Sequence, residues 1–331
     1  MAPTASTTPA APTPSAHAKM MCVPLTVFRL HNAREVDLYI WQEGEVEPTL
    51  YCSADVPLTA TDLDRLTERG FRALYVTRNA YADLSEQLHQ ELNHILSDES
   101  VAVEERLSVL QTAFALEVDS AFQMINCDRA VSVTKNLAQK INGLLCDGAV
   151  VPHKMYDMLR HDFYTFTHVT NVASFATLLA EEIGITDPAE REQITVGGLL
   201  HDIGKKFVPP SVLCKPAKLD EDEWRLVKSH PQRGYEELYD RDDLTFGQLM
   251  MVYSHHERID GTGYPVGLVT EEIHDWAKLL AVVDVFEALT GARPYRSALK
   301  PCEALEFLER NAGAHFDSEM TRCWTSLMRQ R

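Results

Sequence analysis

Folding of this 331-residue chain is constrained most by histidines and carboxylates placed where apolar helical runs end or carry a polar interruption. Residues 201–205 read His-Asp-Ile-Gly-Lys and follow the apolar run of Val196, Leu199 and Leu200. Residues 255–265 read His-His-Glu-Arg-Ile-Asp-Gly-Thr-Gly-Tyr-Pro and follow the apolar run Leu249–Tyr253. Asp284 shares a helix face with Trp276, Ala277, Leu280 and Ala281, and Ala288 stands one turn later. An unpaired carboxylate among such neighbours is expensive to bury, and a metal ion removes that cost. Imidazole and carboxylate together suit Zn, Fe, Mn and similar divalent ions. Two such ions bridged by a carboxylate are a standard device for in-line attack on phosphorus. The residues therefore point to metal-dependent phosphoester hydrolysis on a helical scaffold.

Taken singly, each residue also has a plainer reading. His168 lines up with Val172, Phe175 and Leu179, as a hydrogen-bonded core histidine would. His201 and Asp202 can be a capping pair where their helix runs into Gly204. His230, before Pro231, can be a helix-terminal cation. The consecutive His255 and His256 are harder to explain without a metal. Glu287, one turn beyond Asp284, faces either the same pocket or the surface. Jointly, five histidines and two aspartates on the helices of one domain favour a ligand set.

The rest of the chain bounds this reading. Its formal net charge of −18 argues against polymeric nucleic acid or a membrane surface as partner, while a small anion remains compatible with local cations and metals. Seven scattered cysteines, odd in number and without CxxC spacing, fit reduced thiols and a cytoplasmic location. No apolar run reaches the roughly 18 residues of a membrane helix. Residues 1–22 read as a disordered tail without a secretory signal.

Residues 23–80 read as a small α+β regulatory or dimerising module. Strands are expected over Val23–Leu30, Val36–Trp41, Pro48–Cys52 and Phe71–Thr77. A helix is expected over Asp62–Arg69, capped by Thr61 and ended by Gly70. Residues 81–147 carry helical stripes and read as a connector. Residues 148–331 read as an all-α domain, so the fold class is mainly α. Its expected helices are Tyr156–Ile183, Pro188–Leu200, Glu221–Tyr239, Thr245–His256, Glu272–Thr290 and Cys302–Asn311.

From about residue 160 to 320 the chain closely resembles the HD-GYP family, the cyclic dinucleotide phosphodiesterase branch of the HD phosphohydrolases. The resemblance rests on Tyr164-Thr-Phe-Thr-His168, His201-Asp-Ile-Gly-Lys205, Lys215-Pro-Ala-Lys-Leu219 and His230-Pro-Gln-Arg-Gly-Tyr235. It continues through His255–Pro265, Asp284-Val-Phe-Glu-Ala-Leu-Thr290, Arg293-Pro-Tyr-Arg296 and His315-Phe-Asp317.

The resemblance implies that His168, His201, Asp202 and Asp284 hold one metal. Asp202 would bridge to a second metal on His230, His255 and His256. A metal-bridging hydroxide would attack cyclic di-GMP and release 5′-pGpG, with GMP after a second cut. Lys205 would stabilise charge on the phosphoryl group or protonate the leaving 3′-oxygen. Arg293 and Arg296 would hold phosphates, and Asp260, Gly261, Gly263, Tyr264 and Pro265 would shape the guanine pocket. The ligand set accepts Fe or Mn foremost, and Zn, Co or Ni as well.

Three departures stand out. Tyr164 replaces a Glu that in some members helps hold a third metal, which favours two ions here. Glu287 stands where Asp is frequent, and Ser318 where Pro is frequent. Two rivals remain at this stage: a catalytically silent cyclic-dinucleotide sensor, and a hydrolase of another cyclic dinucleotide such as 3′,3′-cyclic GMP-AMP. The N-terminal module would supply a homodimer contact or bind a signalling protein.

Overall fold

The computed structural model describes residues 20–31, 36–41, 47–124, 127–146, 155–156, 165–213, 215, 217–291 and 298–329. Tyr164, Arg293, Arg296 and residues 1–19 of the expected tail lie outside them. The chain divides into two compact units, Met1–Leu84 and Ser85–Arg331.

The first unit is built on an antiparallel sheet of β1 (Met20–Pro24), β2 (Leu38–Ile40), β3 (Thr49–Cys52) and β4 (Ala73–Thr77), in the order β1-β4-β2-β3. Met20–Cys22, expected in the tail, pair with Thr77–Tyr75 in the outer ladder. The strand expected over Val23–Leu30 is a correction: β1 ends at Pro24, and α1 (Leu25–Leu30) follows. Proline has no N–H for a further ladder bond, and Leu25, Val27 and Phe28 turn together into the core at helical spacing. Helix α2 (Ala60–Glu68) is capped by Thr59 instead of the expected Thr61. The Thr59 side chain accepts from Asp62 N, and Asp62 reaches back to Thr59 N, so the acid three residues on selects the cap.

The second unit is helical. Helix α3 (Arg78–Ser97) belongs to it from Ser85 onward, with Leu88, Leu92 and Ile95 buried, and α4 (Val103–Gln123) and α5 (Asp128–Cys146) follow. Then come α6 (Thr165–Glu182), α7 (Pro188–Leu200), a 3₁₀ turn at Ile203–Phe207 and the short α8 (Pro210–Leu213). After them stand α9 (Glu221–Lys228), α10 (His230–Leu238) and α11 (Phe246–Ser254), followed by α12 (Asp275–Thr290), α13 (Pro301–Asn311) and α14 (Ser318–Arg329). The single helix expected over Glu221–Tyr239 is divided at Ser229, the residue before His230 and Pro231. Ser318 opens α14, a first-turn position that proline also fits. That helix was not marked in the sequence. It packs Trp324 against both Phe175 and Phe286, with ring centroids 5.3 and 5.2 Å away. The mainly helical class with a small α+β unit at the N-terminus is as expected. Among the described residues no helix is long and apolar enough to cross a membrane.

Helices α4 and α5, expected as a connector, pack in the same unit as the later helices: α4 against α6, and α5 against α7. Two glycines set how closely the central elements approach. A Cβ on Gly198 would lie 2.9 Å from Ala173 Cα, so α7 crosses α6 nearly backbone to backbone. A Cβ on Gly204 would lie 1.9 Å from His230 O and 2.6 Å from Gly234 N, which seats the 3₁₀ turn directly on α10. These approaches bring His168, Asp202 and His230 to one point. Gly204→Ala is therefore expected to destabilise the fold by about 1–3 kcal/mol, as overpacking does. An unchanged denaturant midpoint would contradict this close approach.

Candidate metal centre

His201 and His255 cap the C-terminal ends of α7 and α11, and His230 stands two residues past the end of α9, after its cap Ser229. The last carbonyls of a helix have no partner within it. Each ring reaches back to one of them. His201 Nδ1 donates to Gly198 O at 2.7 Å, His230 Nδ1 to Val227 O at 2.8 Å, and His255 Nδ1 to Met251 O and Val252 O at 3.0 Å. A carbonyl only accepts, so the hydrogen sits on Nδ1 and Nε2 faces inward.

His168 lies inside α6, where the carbonyls are already used. Its Nδ1 meets Glu287 Oε2 of α12 at 2.5 Å, and its Nε2 faces Asp284 Oδ1 at 3.2 Å. Glu287 is thus buried and turned to the pocket, which settles the two readings left open in the sequence.

Asp202 stands at the centre. Its Oδ2 lies 3.4 Å from both His168 Nε2 and His201 Nε2, and its Oδ1 lies 3.2 Å from His230 Nε2. Asp284 Oδ1 is 3.9 Å from His201 Nε2, and Oδ2 is 4.0 Å from His256 Nδ1. Lys205 Nζ, one turn on, pairs with Asp202 Oδ2.

Two donor sets result, His168 with His201 and Asp202, and His230 with His255 and His256. Within each, the donor atoms lie within 4.8 Å of one another.

Three observations fit a cation here. His201 Nε2 and Asp202 Oδ1 are buried and have no hydrogen-bond partner among the described residues, since the 3.2 Å approach of His230 to Asp202 lacks hydrogen-bond geometry. His230 Nε2 and His255 Nε2 are 3.2 Å apart, so the neutral tautomers aim two lone pairs at one point. The donor set of imidazole and carboxylate suits a divalent transition metal.

The electrostatics agree. Burial, and then the charges of His256, His201 and His230, hold His255 well below the usual imidazole range. Burial likewise lowers His256 to about 3, against the opposing pull of Asp284. Both rings are therefore neutral near pH 7, with lone pairs available. Burial opposes ionisation of Asp202, but Lys205 and His201 outweigh it and keep its pKa well below the carboxylate range. Burial also opposes ionisation of Asp284, and His168 and its neighbours prevail there too. Burial disfavours a charged His168, yet the Glu287 carboxylate and the hydrogen bonds to Asp202 and Asp284 raise its pKa well above normal. Three carboxylates thus gather around a ring able to carry only one positive charge.

The loop after His256 forms one wall. Glu257, buried, accepts from the N–H groups of Val266 (2.7 Å), Gly267 (3.0 Å) and Leu268 (3.0 Å). Tyr264 lies against His256, ring centroids 4.8 Å apart, and burial followed by Asp284 raises its phenol beyond the ordinary range. The Tyr264–Pro265 bond is cis, and Gly263 lies against the Glu257 backbone. Gly261 turns the chain, with its N–H on Arg258 O. Asp260 is exposed and spends its carboxylate on Thr262 N and Oγ1, at 2.9 and 2.7 Å. Glu257 and Asn171 stand in the motifs of the resemblance, but neither takes a role from the sequence alone. A buried acid between two histidines and a glycine-rich loop is the signal that would have found Glu257.

The fold and site define a helical protein with a buried histidine–aspartate centre. A model of the HD domain matches residues 153–320, and the chain belongs to that family. Its motifs resemble those of the HD-GYP branch. It is 32% identical, over 80% of its length, to the cyclic di-GMP phosphodiesterase PA4108 of Pseudomonas aeruginosa. It is 42% identical over half its length to the cyclic di-GMP phosphodiesterase response regulator RpfG of Xanthomonas campestris. A 3′3′-cGAMP-specific phosphodiesterase of Vibrio cholerae is 38% identical, again over half of the chain. The chain spans 66%, 43% and 35% of these relatives' lengths. Bd1817, an HDG"Y"P protein from Bdellovibrio bacteriovorus, shares the fold with a TM-score of 0.66 at 18% identity, covering 94% of this chain and 100% of that one.

Glu257→Gln removes one acceptor oxygen from three backbone donors. Amide exchange at Val266, Gly267 and Leu268 is expected to quicken at least about tenfold, in keeping with the roughly 1.5–3 kcal/mol of a hydrogen bond to a charged group. Unchanged protection would show that the loop does not depend on this carboxylate.

Proposed function

We propose that this chain is a metal-dependent phosphodiesterase that opens one phosphodiester bond of cyclic di-GMP and releases 5′-pGpG. The observation that carries the reading is Asp202, with one oxygen toward each histidine set. His168, His201, Asp202 and Asp284 would hold one divalent ion, and Asp202, His230, His255 and His256 the other. Iron or manganese is the choice carried by the family resemblance, and the same donors accept Zn, Co or Ni. Bound there, the ions lower the pKa of water towards 7 and draw charge from the phosphoryl oxygens.

The chain's own groups do the rest. In the hydrolysis, oxygen from water joins phosphorus while the bond from phosphorus to the 3′-oxygen breaks. Lys205, held at the centre by Asp202, offsets the charge gathering on the phosphoryl group and supplies a proton toward the leaving oxygen. Tyr264 and the Asp260–Pro265 loop line the side on which a guanine would rest, and Arg293 and Arg296 would clamp the phosphates. Residues 23–80 would serve as a regulatory or dimerising module for a cytoplasmic enzyme, with 81–147 between them and the phosphohydrolase domain. The similarity to a 3′3′-cGAMP-specific relative supports a second substrate reading, cyclic GMP-AMP.

Protein purified without oxygen, loaded with Mn(II) or Fe(II) and given a panel of cyclic dinucleotides, is expected to turn cyclic di-GMP over fastest, with 5′-pGpG resolved by chromatography. Lys205→Ala should lower that rate at least about tenfold with metal content intact, the scale of general-acid or charge assistance. Binding without any linear product would contradict the enzyme, and faster turnover of cyclic GMP-AMP would replace the substrate.

A further inference from the structure

The imidazole of His168 is held differently from those of His201, His230 and His255, and the difference leads out of the family-matched region. Its acceptor is the Glu287 side chain, which could swing unless something holds it. The other carboxylate oxygen, Glu287 Oε1, accepts from Asn171 Nδ2 at 3.3 Å. Asn171 Oδ1 in turn accepts from Gln111 Nε2 at 3.1 Å. All three side chains are buried. Asn171 stands one turn beyond His168 on α6, but Gln111 belongs to α4, some forty residues before the HD-domain match begins at 153.

The chain of bonds has a single polarity. A carboxylate without its proton can only accept, so Asn171 must present its NH₂ to Glu287. Its carbonyl oxygen then faces α4, where only a donor satisfies it. Gln111 supplies that donor. Loss of the donor removes the hydrogen bond that holds this carbonyl toward α4, and rotation of the Asn171 amide would set an oxygen against Glu287. Either change loosens the hold of Asn171 on the Glu287 carboxylate and, through it, on the His168 ring.

We propose that Gln111 is a positioning residue for the metal centre: through Asn171 and Glu287 it fixes the tautomer and direction of His168. Helix α4 is thereby part of the centre's support, and a shift of α4 relative to α6 would change metal occupancy on the His168 side. The inference rests on the metal-centre reading and is independent of which cyclic dinucleotide is cut.

The test is a calorimetric titration of full-length metal-free protein with Mn(II), beside its thermal unfolding. Gln111→Met keeps length and bulk and removes the donor. Partners that orient a ligating histidine typically change metal affinity about 10–100-fold, so Gln111, one bond further out, is expected to weaken one of two binding events about tenfold. The other event should be unchanged. Gln111→Asn keeps the amide but falls a methylene short of Asn171, and the same selective loss is expected. The second variant guards against the Met protein failing to fold. Adding Asn171→Ser to either variant should cost nothing further, because the relay is already broken.

Wild-type affinity in a folded Gln111 variant overturns the proposal. So does an equal weakening of both events that follows a lowered unfolding temperature, since that is the signature of packing alone. If wild-type protein takes up no Mn(II), the metal-centre reading fails and this inference with it; metal uptake with no cyclic-dinucleotide hydrolysis would leave the relay standing and remove only the proposed activity.

Discussion

The structure depends on a simple hydrogen-bond economy at helix ends. A helix leaves its last carbonyls without internal partners, and three of the clustered histidines use those carbonyls to fix their own rings. The bond at Nδ1 satisfies a backbone group that would otherwise be stranded in the core, and it turns Nε2 inward. Helix termination and ring orientation are thus the same event at His201, His230 and His255. This is why the histidine motifs coincide with the ends of apolar runs, and why close approach of those ends, through Gly198 and Gly204, assembles the centre.

His168 is the exception that exposes the rule. Inside a helix no free carbonyl is within reach, so a side chain from another helix must serve. Glu287 does so, and it brings a third carboxylate beside Asp202 and Asp284 into a buried space. Such a concentration of negative charge is tolerable only with cations in it. Lys205 and the His168 ring supply part of that charge, and the geometry of the remaining lone pairs fits divalent ions. Folding and function therefore make the same demand on this region: the helices bury a charge pattern that a metal ion completes.

Much of this was legible in the sequence, for a physical reason. A histidine after an apolar run, or an aspartate inside one, violates the pattern of an ordinary core and so stands out. Glu287 did not, because one turn from Asp284 both pocket and surface lie within reach of a long side chain. Gln111 could not be read at all, since its partner is 60 positions away and a glutamine on a helix is unremarkable until its neighbours are known. Misreadings in the first unit were local. Val23–Leu30 has strand-like composition, but Pro24 interrupts the ladder and a short apolar run fits either period. Thr61 and Thr59 are both plausible caps, and Asp62 decides between them only through its reach back to Thr59.

The account's central claim is that Asp202 joins two metal positions in one centre. Anomalous diffraction from crystals grown with Mn(II), recorded on either side of the manganese edge, tests it directly. Two peaks are expected, both within about 2.0–2.3 Å of an Asp202 oxygen, the range of metal–carboxylate bonds. One should fall among His168, His201 and Asp284, and the other among His230, His255 and His256. A single peak, or peaks that leave Asp202 uncoordinated, would contradict the account.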